Sequence, residues 1–202
     1  MIGIVDYNMG NLASVKNAFD KLGSQAVVES NPNKLKEYDK LLLPGVGAFG
    51  DAMEHLKQNG MDEAIIEYAN SGKPILGICL GMQLLFDKSS EFGDNRGLGL
   101  IEGEVVAFDK DKFDHPLKVP HMGWNEMFIQ KETPLFDGLS DPYLYFVHSY
   151  HVVCDDAHAI GKSIYGYEFI SAVNRANIYG IQPHPEKSHD NGLKILKNFI
   201  DL

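Results

Sequence analysis

The chain has 202 residues, of which 44% are hydrophobic and 23% charged, and its formal net charge is −10. This length suits one domain with a substantial core and is short for two, while the acidic balance argues against a nucleic-acid partner. No apolar run is long enough to span a membrane, no signal-peptide pattern is apparent, and two cysteines form no disulfide framework. We therefore expect one cytoplasmic domain over residues 1–202, with both thiols free.

The first half of the sequence alternates short apolar runs with amphipathic stretches. Four apolar runs predict strands, at residues 2–5, 25–30, 40–43 and 75–78. The amphipathic stretches predict four helices. One lies between Asn11 and Gly23, one carries Met53 and Leu56, one carries Ile65, Tyr68 and Ala69 and stops at Gly72, and one covers 80–86. Strands that alternate with helices predict a parallel sheet whose functional loops lie at the carboxyl ends of the strands.

The second half of the sequence has a different composition and pattern. Residues 88–97 are polar and contain glycine, which predicts a surface loop. Runs rich in β-forming residues then predict antiparallel strands and hairpins that extend or flank the first sheet, at residues 105–108, 126–130, 144–153, 160–165 and 169–182. Apolar residues from Leu193 to Ile200 predict a final amphipathic helix. The expected fold is a single-domain, three-layer α/β fold with a mostly parallel central sheet, helices on both faces and an antiparallel extension.

The most informative stretch is Gly77-Ile-Cys79-Leu-Gly81, which joins a predicted strand to a predicted helix. Glycines two residues either side of a candidate nucleophile are typical of the nucleophile elbow, a sharp strand-to-helix turn that is too crowded for larger side chains. A cysteine at this position faces the N-terminus of the next helix, which favours the thiolate. The alternative is a buried structural cysteine.

A second stretch, Gly180 to Ser188, contains His184 and Glu186, with prolines at positions 183 and 185. A residue that precedes proline favours extended geometry, and in an extended chain residues two apart point to the same side. Glu186 can therefore orient the imidazole of His184. Cysteine, histidine and carboxylate together perform nucleophilic acyl chemistry, although a His-x-Glu sequence in a loop is usually only polar surface.

A third stretch, Pro44 to Gly50, formally contains the Gly-x-Gly-x-x-Gly pattern of dinucleotide-binding proteins. It follows the third predicted strand instead of the first, and no acidic residue ends a strand about twenty residues later. We interpret it instead as a loop whose backbone N–H groups, around Val46 and Gly47, stabilise an oxyanion together with the N–H of Leu80. One such donor is typically worth about 10²–10³ in rate.

These three stretches, Pro44–Gly47, Gly77–Gln83 and His184–Glu186, resemble the signatures of the class I (triad-type) glutamine amidotransferases. The resemblance implies that Cys79 attacks the side-chain amide of glutamine, that His184 protonates the departing ammonia and that water then releases glutamate. It implies no cofactor and no metal. A closer resemblance is to the branch of the family that supplies ammonia for imidazole glycerol phosphate synthesis in histidine biosynthesis. The segments that carry this closer resemblance are 6–11, 120–125, 145–150 and 185–188.

The same resemblance assigns further roles. It implies that four residues hold glutamine, namely Gln83, Glu91, Ser149 and Tyr150. It also implies that a separate (β/α)8-barrel cyclase, which makes imidazole glycerol phosphate and AICAR, binds around the ammonia exit at Met9, Asn11, Trp124, Tyr145 and Lys187. Trp124 is the only tryptophan, and aromatic residues of this kind are favoured interface anchors, although a lone tryptophan is more often partly buried core.

One departure from the family pattern is Pro183, which stands where a large apolar residue is usual and removes a backbone donor before the catalytic histidine. His148 and His151 have a spacing compatible with metal binding. On one strand, however, they would point to opposite faces, and neither has a cysteine or acidic partner suitably near, so we expect no metal site. Cys154 lies in a β-rich stretch and is expected to be structural.

Other functions stay open at this point. The chain could be a glutaminase subunit that feeds a paralogous synthase with another acceptor. It could also be a different cysteine hydrolase on a similar scaffold, such as a peptidase or deglycase. A non-catalytic binding module is disfavoured by the complete set of Cys79, His184 and Glu186.

Overall fold

The computed structural model describes residues 1–202, and strands alternate with helices in its first half. In chain order these elements are β1 (Ile2–Val5), α1 (Leu12–Lys21), β2 (Ala26–Glu29), β3 (Lys40–Leu43), α2 (Phe49–Gln58), α3 (Met61–Asn70), β4 (Ile75–Ile78) and α4 (Leu80–Leu84). The second half is mostly strands: β5 (Phe86–Ser89), β6 (Asn95–Arg96), β7 (Ile101–Ala107), β8 (His121–Glu126), β9 (Phe128–Ile129), β10 (Tyr143–His148), β11 (Tyr150–Val153), β12 (Ala159–Tyr165), β13 (Tyr167–Arg175) and β14 (Ile178–Ile181). Helix α5 (His189–Asp201) follows them.

Twelve strands form one sheet, and β8 and β10 form a separate antiparallel pair. The main path through the large sheet runs β2-β1-β3-β4-β14-β13-β11-β7-β5-β6, with β12 and β9 attached beside β13. The strands from β2 to β14 along this path are parallel. Most later pairs are antiparallel, and the exception is β5 with β7. The predicted parallel sheet with an antiparallel extension is therefore confirmed.

Two apolar cores lie on opposite faces of this sheet. Helices α2, α3 and α4 cover one face, while α1, α5 and the β8–β10 pair cover the other. Side chains alternate along each strand, so Leu41 and Leu43 of β3 join the first core and Leu42 joins the second. The predicted three-layer arrangement follows from this alternation. No helix is both long and apolar enough to cross a lipid bilayer.

The predicted elements of the first half agree closely with the structure. The strands at 2–5, 40–43 and 75–78 have the predicted bounds, and the second strand is one residue shorter at each end. Asn11 caps α1, because its side chain accepts a hydrogen bond from Ser14 N at 3.3 Å. Gly72 follows α3 with φ of +83°, the left-handed conformation that commonly ends a helix at glycine.

The prediction of a helix over 80–86 and a loop over 88–97 was wrong at their junction. Helix α4 ends at Leu84, and Phe86 begins β5, whose edge is extended by the two residues of β6. Phe86 and Ser89 are buried while Asp87 and Lys88 are exposed. Strands near the edge of a sheet often carry polar side chains, and the composition of β5 and β6 therefore resembles that of a loop.

Four other predicted runs have different bounds or partners. The run at 105–108 is the end of β7, which begins at Ile101 and ends at Ala107. The run at 144–153 is divided at Ser149, so that β10 pairs with β8 whereas β11 joins the large sheet. The run at 126–130 covers only the last residue of β8, which begins at His121, and the two residues of β9, which belong to the large sheet. The run at 169–182 is a hairpin, but its second strand, β14, is also parallel to β4.

Candidate active site

Cys79 lies on a strained turn between β4 and α4, with φ of 55° and ψ of −114°. A Cβ added to Gly81 would lie 1.8 Å from the carbonyl oxygen of Leu43, and one added to Gly77 would lie 2.6 Å from the carbonyl oxygen of Gly81. These distances are far below van der Waals contact, so both positions require glycine. The predicted sharp turn between strand and helix is confirmed, and it presents the thiol at the carboxyl end of β4.

His184 and Glu186 reach the elbow because β14 runs parallel to β4 and ends beside it. His184 Nδ1 lies 2.8 Å from Glu186 Oε1, and both side chains are almost fully buried. The prediction that these side chains meet is therefore confirmed. The extended geometry that led to it holds at His184 but not beyond, since residues 185–187 form a 3-10 turn.

Pro183 causes no loss of pairing in the sheet. It lies two residues beyond the end of β14. Its neighbours keep their backbone hydrogen bonds: Gln182 N donates to Ser171 O and His184 N donates to Tyr145 O, each at 2.8 Å. The residue that lacks a donor thus stands between two that are paired. Pro183 is tolerated here because the strand has already ended.

The surroundings of His184 favour its protonated form. Burial alone lowers the pKa of the imidazole, but the Cys79 thiol and the Glu186 carboxylate act in the opposite sense and raise that pKa above its usual 6.5. Nε2 is buried without a hydrogen-bond partner. The ring can therefore receive a proton at Nε2 while Glu186 holds Nδ1, which is the arrangement that a histidine base requires.

One cavity of about 440 Å³ joins the thiol to most of the other predicted site residues. Its lining includes Val46, Gly47, Cys79, Leu80, Gln83, Glu91, Ser149, Tyr150 and His184, together with Pro120, Val147 and His148. This volume lies in the range typical of small-molecule sites. A larger cleft of about 980 Å³ lies between α5 and the turn at Pro134–Phe136, and it contains none of the predicted site residues.

Gln83 and Glu91 are each anchored by hydrogen bonds to other parts of the chain. Gln83 Nε2 donates to Tyr150 O at 3.1 Å and to Gln182 Oε1 at 3.0 Å. Glu91 Oε2 accepts from Phe49 N, the first residue of α2, at 2.8 Å. Burial raises the pKa of the Glu91 carboxyl, although the Phe49 hydrogen bond opposes this. Both side chains are held in place at the wall of the cavity.

The glycine-rich loop contacts the segment that follows β1. The Tyr7 hydroxyl donates to Pro44 O at 2.8 Å, and a Cβ added to Gly47, where φ is +106°, would lie 2.7 Å from Met9 Cε. Met9 therefore lies against the predicted oxyanion loop, while Asn11 caps α1 beyond it. Sequence reasoning missed Tyr7, although the Asp6–Asn11 segment that contains it had already been singled out.

Three of the predicted interface residues lie together on the outer face of the β8–β10 pair. Trp124 and Tyr145 are opposite each other in the register, with ring centroids 6.1 Å apart. Lys187 Nζ is 5.9 Å from the Tyr145 ring, and His189 stacks on Trp124 at 5.0 Å. Trp124 is 47% exposed and its neighbour Met122 is 61% exposed. These five residues form what we call the aromatic face.

His148 and His151 do not point to opposite faces as predicted. Both rings contact Phe108, with centroid distances of 5.1 and 5.0 Å. The prediction assumed one continuous strand, whereas the chain leaves one sheet and enters another at Ser149. No group of three or more His, Cys, Asp or Glu side chains is arranged to hold a metal ion.

Comparison with known proteins agrees with this geometry. The family described as "Glutamine amidotransferase class-I" matches residues 3–202. The chain belongs to that family. It is 72% identical to the imidazole glycerol phosphate synthase subunit HisH of Sulfurimonas denitrificans, over 98% of this chain and 97% of the relative. It is 59% identical to HisH of Wolinella succinogenes over the whole of both chains. Within the class I glutamine amidotransferases, it therefore groups with the HisH subunits.

Solved structures show the same fold at low sequence identity. PurLQS from Thermotoga maritima superposes with a TM-score of 0.78 at 21% identity, covering 99% of this chain and 97% of that one. A structure described as a glutamine amidotransferase superposes with a TM-score of 0.77 at 15% identity, covering 99% and 97% of the two chains. The α/β architecture is thus that of the class I glutamine amidotransferases.

Two further polar residues of this amidotransferase site were not singled out as site residues from the sequence. Gln182 Nε2 donates to Cys79 Sγ at 3.6 Å, and His148 lines the cavity. The sequence could have indicated Gln182, because an amide side chain in an apolar strand next to Pro183 needs a buried hydrogen-bond partner. The sequence could not have indicated His148, since the position of its side chain at the cavity depends on how β10 pairs with β8.

Proposed function

We propose that this class I glutamine amidotransferase hydrolyses glutamine and delivers the ammonia to a separate cyclase subunit in histidine biosynthesis. The cyclase would use it to make imidazole glycerol phosphate and AICAR. The observation that carries the proposal is Cys79 on its elbow, sharing a cavity with a His184 ring that Glu186 holds. Identity of 72% to a HisH subunit supports the choice of pathway. The whole of residues 1–202 acts as one amidotransferase domain.

The reaction follows from the roles of the three residues. His184 Nε2 takes the thiol proton, and Cys79 Sγ attacks the carboxamide carbon of glutamine. Collapse of the tetrahedral intermediate breaks the C–N bond, and His184 returns the proton to the departing ammonia. Water, activated by the same ring, then hydrolyses the thioester to glutamate. The Glu186 carboxylate accepts a hydrogen bond from Nδ1–H and stabilises the imidazolium, and it is not itself protonated during the reaction.

The oxyanion is stabilised by backbone N–H groups on both sides of the thiol. Leu80 N–H lies at the start of α4, and the loop at Val46 and Gly47 supplies the second donor. Such donors act most strongly in a site from which water is excluded. Met9, which lies against Gly47, connects this loop to the surface around Asn11.

Four residues of the cavity hold glutamine. Glu91 offers a carboxylate for the α-ammonium group, and Gln83, Ser149 and Tyr150 offer further polar atoms. All four line the same cavity as Cys79, which is the basis of the assignment. No cofactor enters this chemistry.

The partner binds at the aromatic face and at the surface around Met9 and Asn11. The cyclase is a (β/α)8 barrel, and Trp124, Tyr145 and Lys187 lie around the exit for ammonia. Exposed aromatic residues beside a lysine suit an interface anchor. We place the complex in the cytoplasm, because both cysteines are free, as in a reducing compartment.

Steady-state glutamine hydrolysis tests this proposal, measured with and without the cyclase and its ribonucleotide ligand. We expect the free chain to be nearly silent, since the peptide between Gly45 and Gly47 can rotate and turn its N–H away from the thioester. Partner contacts would select the productive orientation and raise turnover by about 10²-fold or more.

Each outcome separates one part of the proposal. Turnover that is equal with and without the partner would show that the loop needs no switching. Activation by a different synthase, but not by the cyclase, would favour the paralogous pathway. Absence of hydrolysis under every condition would contradict the glutaminase itself and reopen the cysteine-hydrolase alternative. Cys79→Ala is the control for contaminating activity.

A further inference from the structure

A continuous chain of hydrogen bonds runs from β8 through the second core to the catalytic thiol. Asn125 Nδ2 contacts His121 Nε2 at 3.3 Å, and His121 Nδ1 contacts His148 Nε2 at 2.9 Å. His148 Nδ1 then contacts Tyr150 O at 2.8 Å. Gln83 joins the chain at the same carbonyl, which accepts from its Nε2 at 3.1 Å.

The remaining links reach the nucleophile. The second N–H of the Gln83 amide donates to Gln182 Oε1 at 3.0 Å, and Gln182 Nε2 donates to Cys79 Sγ at 3.6 Å. The Tyr150 carbonyl thus accepts two hydrogen bonds, one from each branch, and uses both of its lone pairs. This double anchoring fixes a peptide in the cavity wall between the thiol and the β8–β10 pair.

Only one set of donors and acceptors satisfies the histidine branch. A carbonyl can only accept, so His148 Nδ1 carries a proton and, in the neutral ring, Nε2 accepts. His121 Nδ1 must then donate to His148, which leaves His121 Nε2 to accept from the Asn125 amide. Both rings are neutral in this arrangement. Burial lowers the pKa of His121 to about 4 and that of His148 to about 3, which agrees with it.

We propose that His121 and His148 are positioning residues that hold the Ser149–Tyr150 corner of the glutamine site in register with Cys79. The corner is where the chain passes from β10 in one sheet to β11 in the other, and both of its residues line the cavity. The large sheet holds this corner through β7, because Tyr150 pairs with Ala107 and Phe108 N donates to Ser149 O at 3.1 Å. The hydrogen bond from His148, backed by His121, adds a side-chain constraint at the Tyr150 carbonyl, which that backbone pairing leaves to Gln83 and His148.

His121 is the residue on which to test this, because it is buried but does not line the cavity. His121→Leu removes the donor to His148 and leaves His148 Nε2 unpaired in an apolar core. His121→Asn places an amide N–H near the position of Nδ1 and keeps that donor. His151 provides a matched control, because it is equally buried and bonds to the Tyr167 hydroxyl at 2.9 Å, outside the chain of hydrogen bonds.

The inference rests on the proposed function and is measured in the complex with the cyclase. We expect His121→Leu to raise KM for glutamine about 3- to 10-fold with kcat within about twofold, because uniform substrate binding is what the corner supplies. His121→Asn should recover most of the wild-type KM. His151→Leu should lower thermal stability and leave KM unchanged. An inactive wild-type complex would contradict the proposed function, whereas an active complex with equal KM in wild type and His121→Leu would contradict this inference alone.

A spectroscopic measurement decides the matter even where the leucine variant does not fold. Two-bond ¹⁵N–¹H couplings report which imidazole nitrogen carries the proton. The wild-type chain should show His121 and His148 as neutral, Nδ1-protonated rings from pH 6 to 8. An Nε2-protonated His121, or a charged ring at pH 7, would overturn the proposal.

Discussion

At the scale of single residues, the two cysteines differ in their surroundings. Cys79 lies on the elbow beside His184, whereas burial, together with Asp155 and Asp156, raises the pKa of Cys154 to about 11. Because the thiolate is the reactive form, we expect an electrophilic glutamine analogue to modify Cys79 and leave Cys154 untouched, as peptide mass mapping would show. Labelling that persists in Cys79→Ala would contradict the assignment.

Replacement of the other two proposed catalytic residues should have unequal effects. His184→Ala removes the group that transfers the proton, and we expect it to abolish glutamine hydrolysis in the complex. Glu186→Gln keeps a hydrogen-bond acceptor near Nδ1 and should be milder, because Glu186 orients the ring and does not transfer the proton. Turnover of the two variants in parallel checks this order, and a Glu186→Gln enzyme as inactive as His184→Ala would be inconsistent with it.

Tyr7 anchors the proposed oxyanion loop through one hydrogen bond. Its hydroxyl is buried and donates to Pro44 O at 2.8 Å, at the fixed end of the loop. We expect Tyr7→Phe to lower kcat several-fold with little change in KM, and to lower the free energy of unfolding by about 1 kcal/mol. Tyr68→Phe is the matched control. The Tyr68 hydroxyl donates to Tyr38 O at 3.2 Å, and neither residue lines the cavity. That control should lose similar stability and keep its kcat.

At the scale of elements, the junction of β4 with α4 depends on how closely β3 approaches it. Gly81→Ala would place a Cβ 1.8 Å from the Leu43 carbonyl oxygen, and backbone on both sides leaves no flexible atom to move. We expect a loss of about 1–3 kcal/mol in the free energy of unfolding and loss of glutaminase activity. In Gly10→Ala the atom nearest to the added Cβ would be 3.5 Å away, in the Leu12 side chain. The free energy of unfolding of that variant, measured by chemical denaturation, should therefore match wild type.

Strand β5, near the edge of the large sheet, could not be predicted from its local sequence. Residues 86–89 expose Asp87 and Lys88 and bury Phe86 and Ser89, a pattern with too few apolar residues to indicate a strand. Their extended conformation depends on pairing with β7. A pairing of that kind is a property of two segments, and neither carries it alone.

At the scale of the whole molecule, the aromatic face is the surface on which partner binding should depend most. We predict that Trp124→Ala weakens binding of the cyclase by more than about 1 kcal/mol, the usual threshold for an anchor residue. Titration calorimetry measures this directly. Val153→Ala, at an apolar residue that is 46% exposed outside the aromatic face, should leave the affinity unchanged. An unchanged affinity in Trp124→Ala would remove that residue from the interface.

Much of the fold and of the site could be predicted from sequence because its cause is local. The apolar runs of β1, β3 and β4 fit a strand that is buried on both faces, and the cap at Asn11 depends on residues within one turn. The elbow is local in the same way, since its two glycines are required by crowding around a single sharp turn. The contact between His184 and Glu186 was also predicted, although a 3-10 turn at residues 185–187 produces it and not the extended chain that the prediction assumed.

Tertiary structure decided which distant segments lie side by side. Only the place of β14 next to β4 brings His184 to Cys79, and 105 residues separate these two positions. The pairing of β8 with β10 places His121 against His148 and exposes Trp124, and nothing in either strand alone specifies that partner. Such contacts depend on burial summed over both cores and on the sheet order, so the hydrogen-bonded chain from Asn125 to the thiol exists only once the whole molecule is folded.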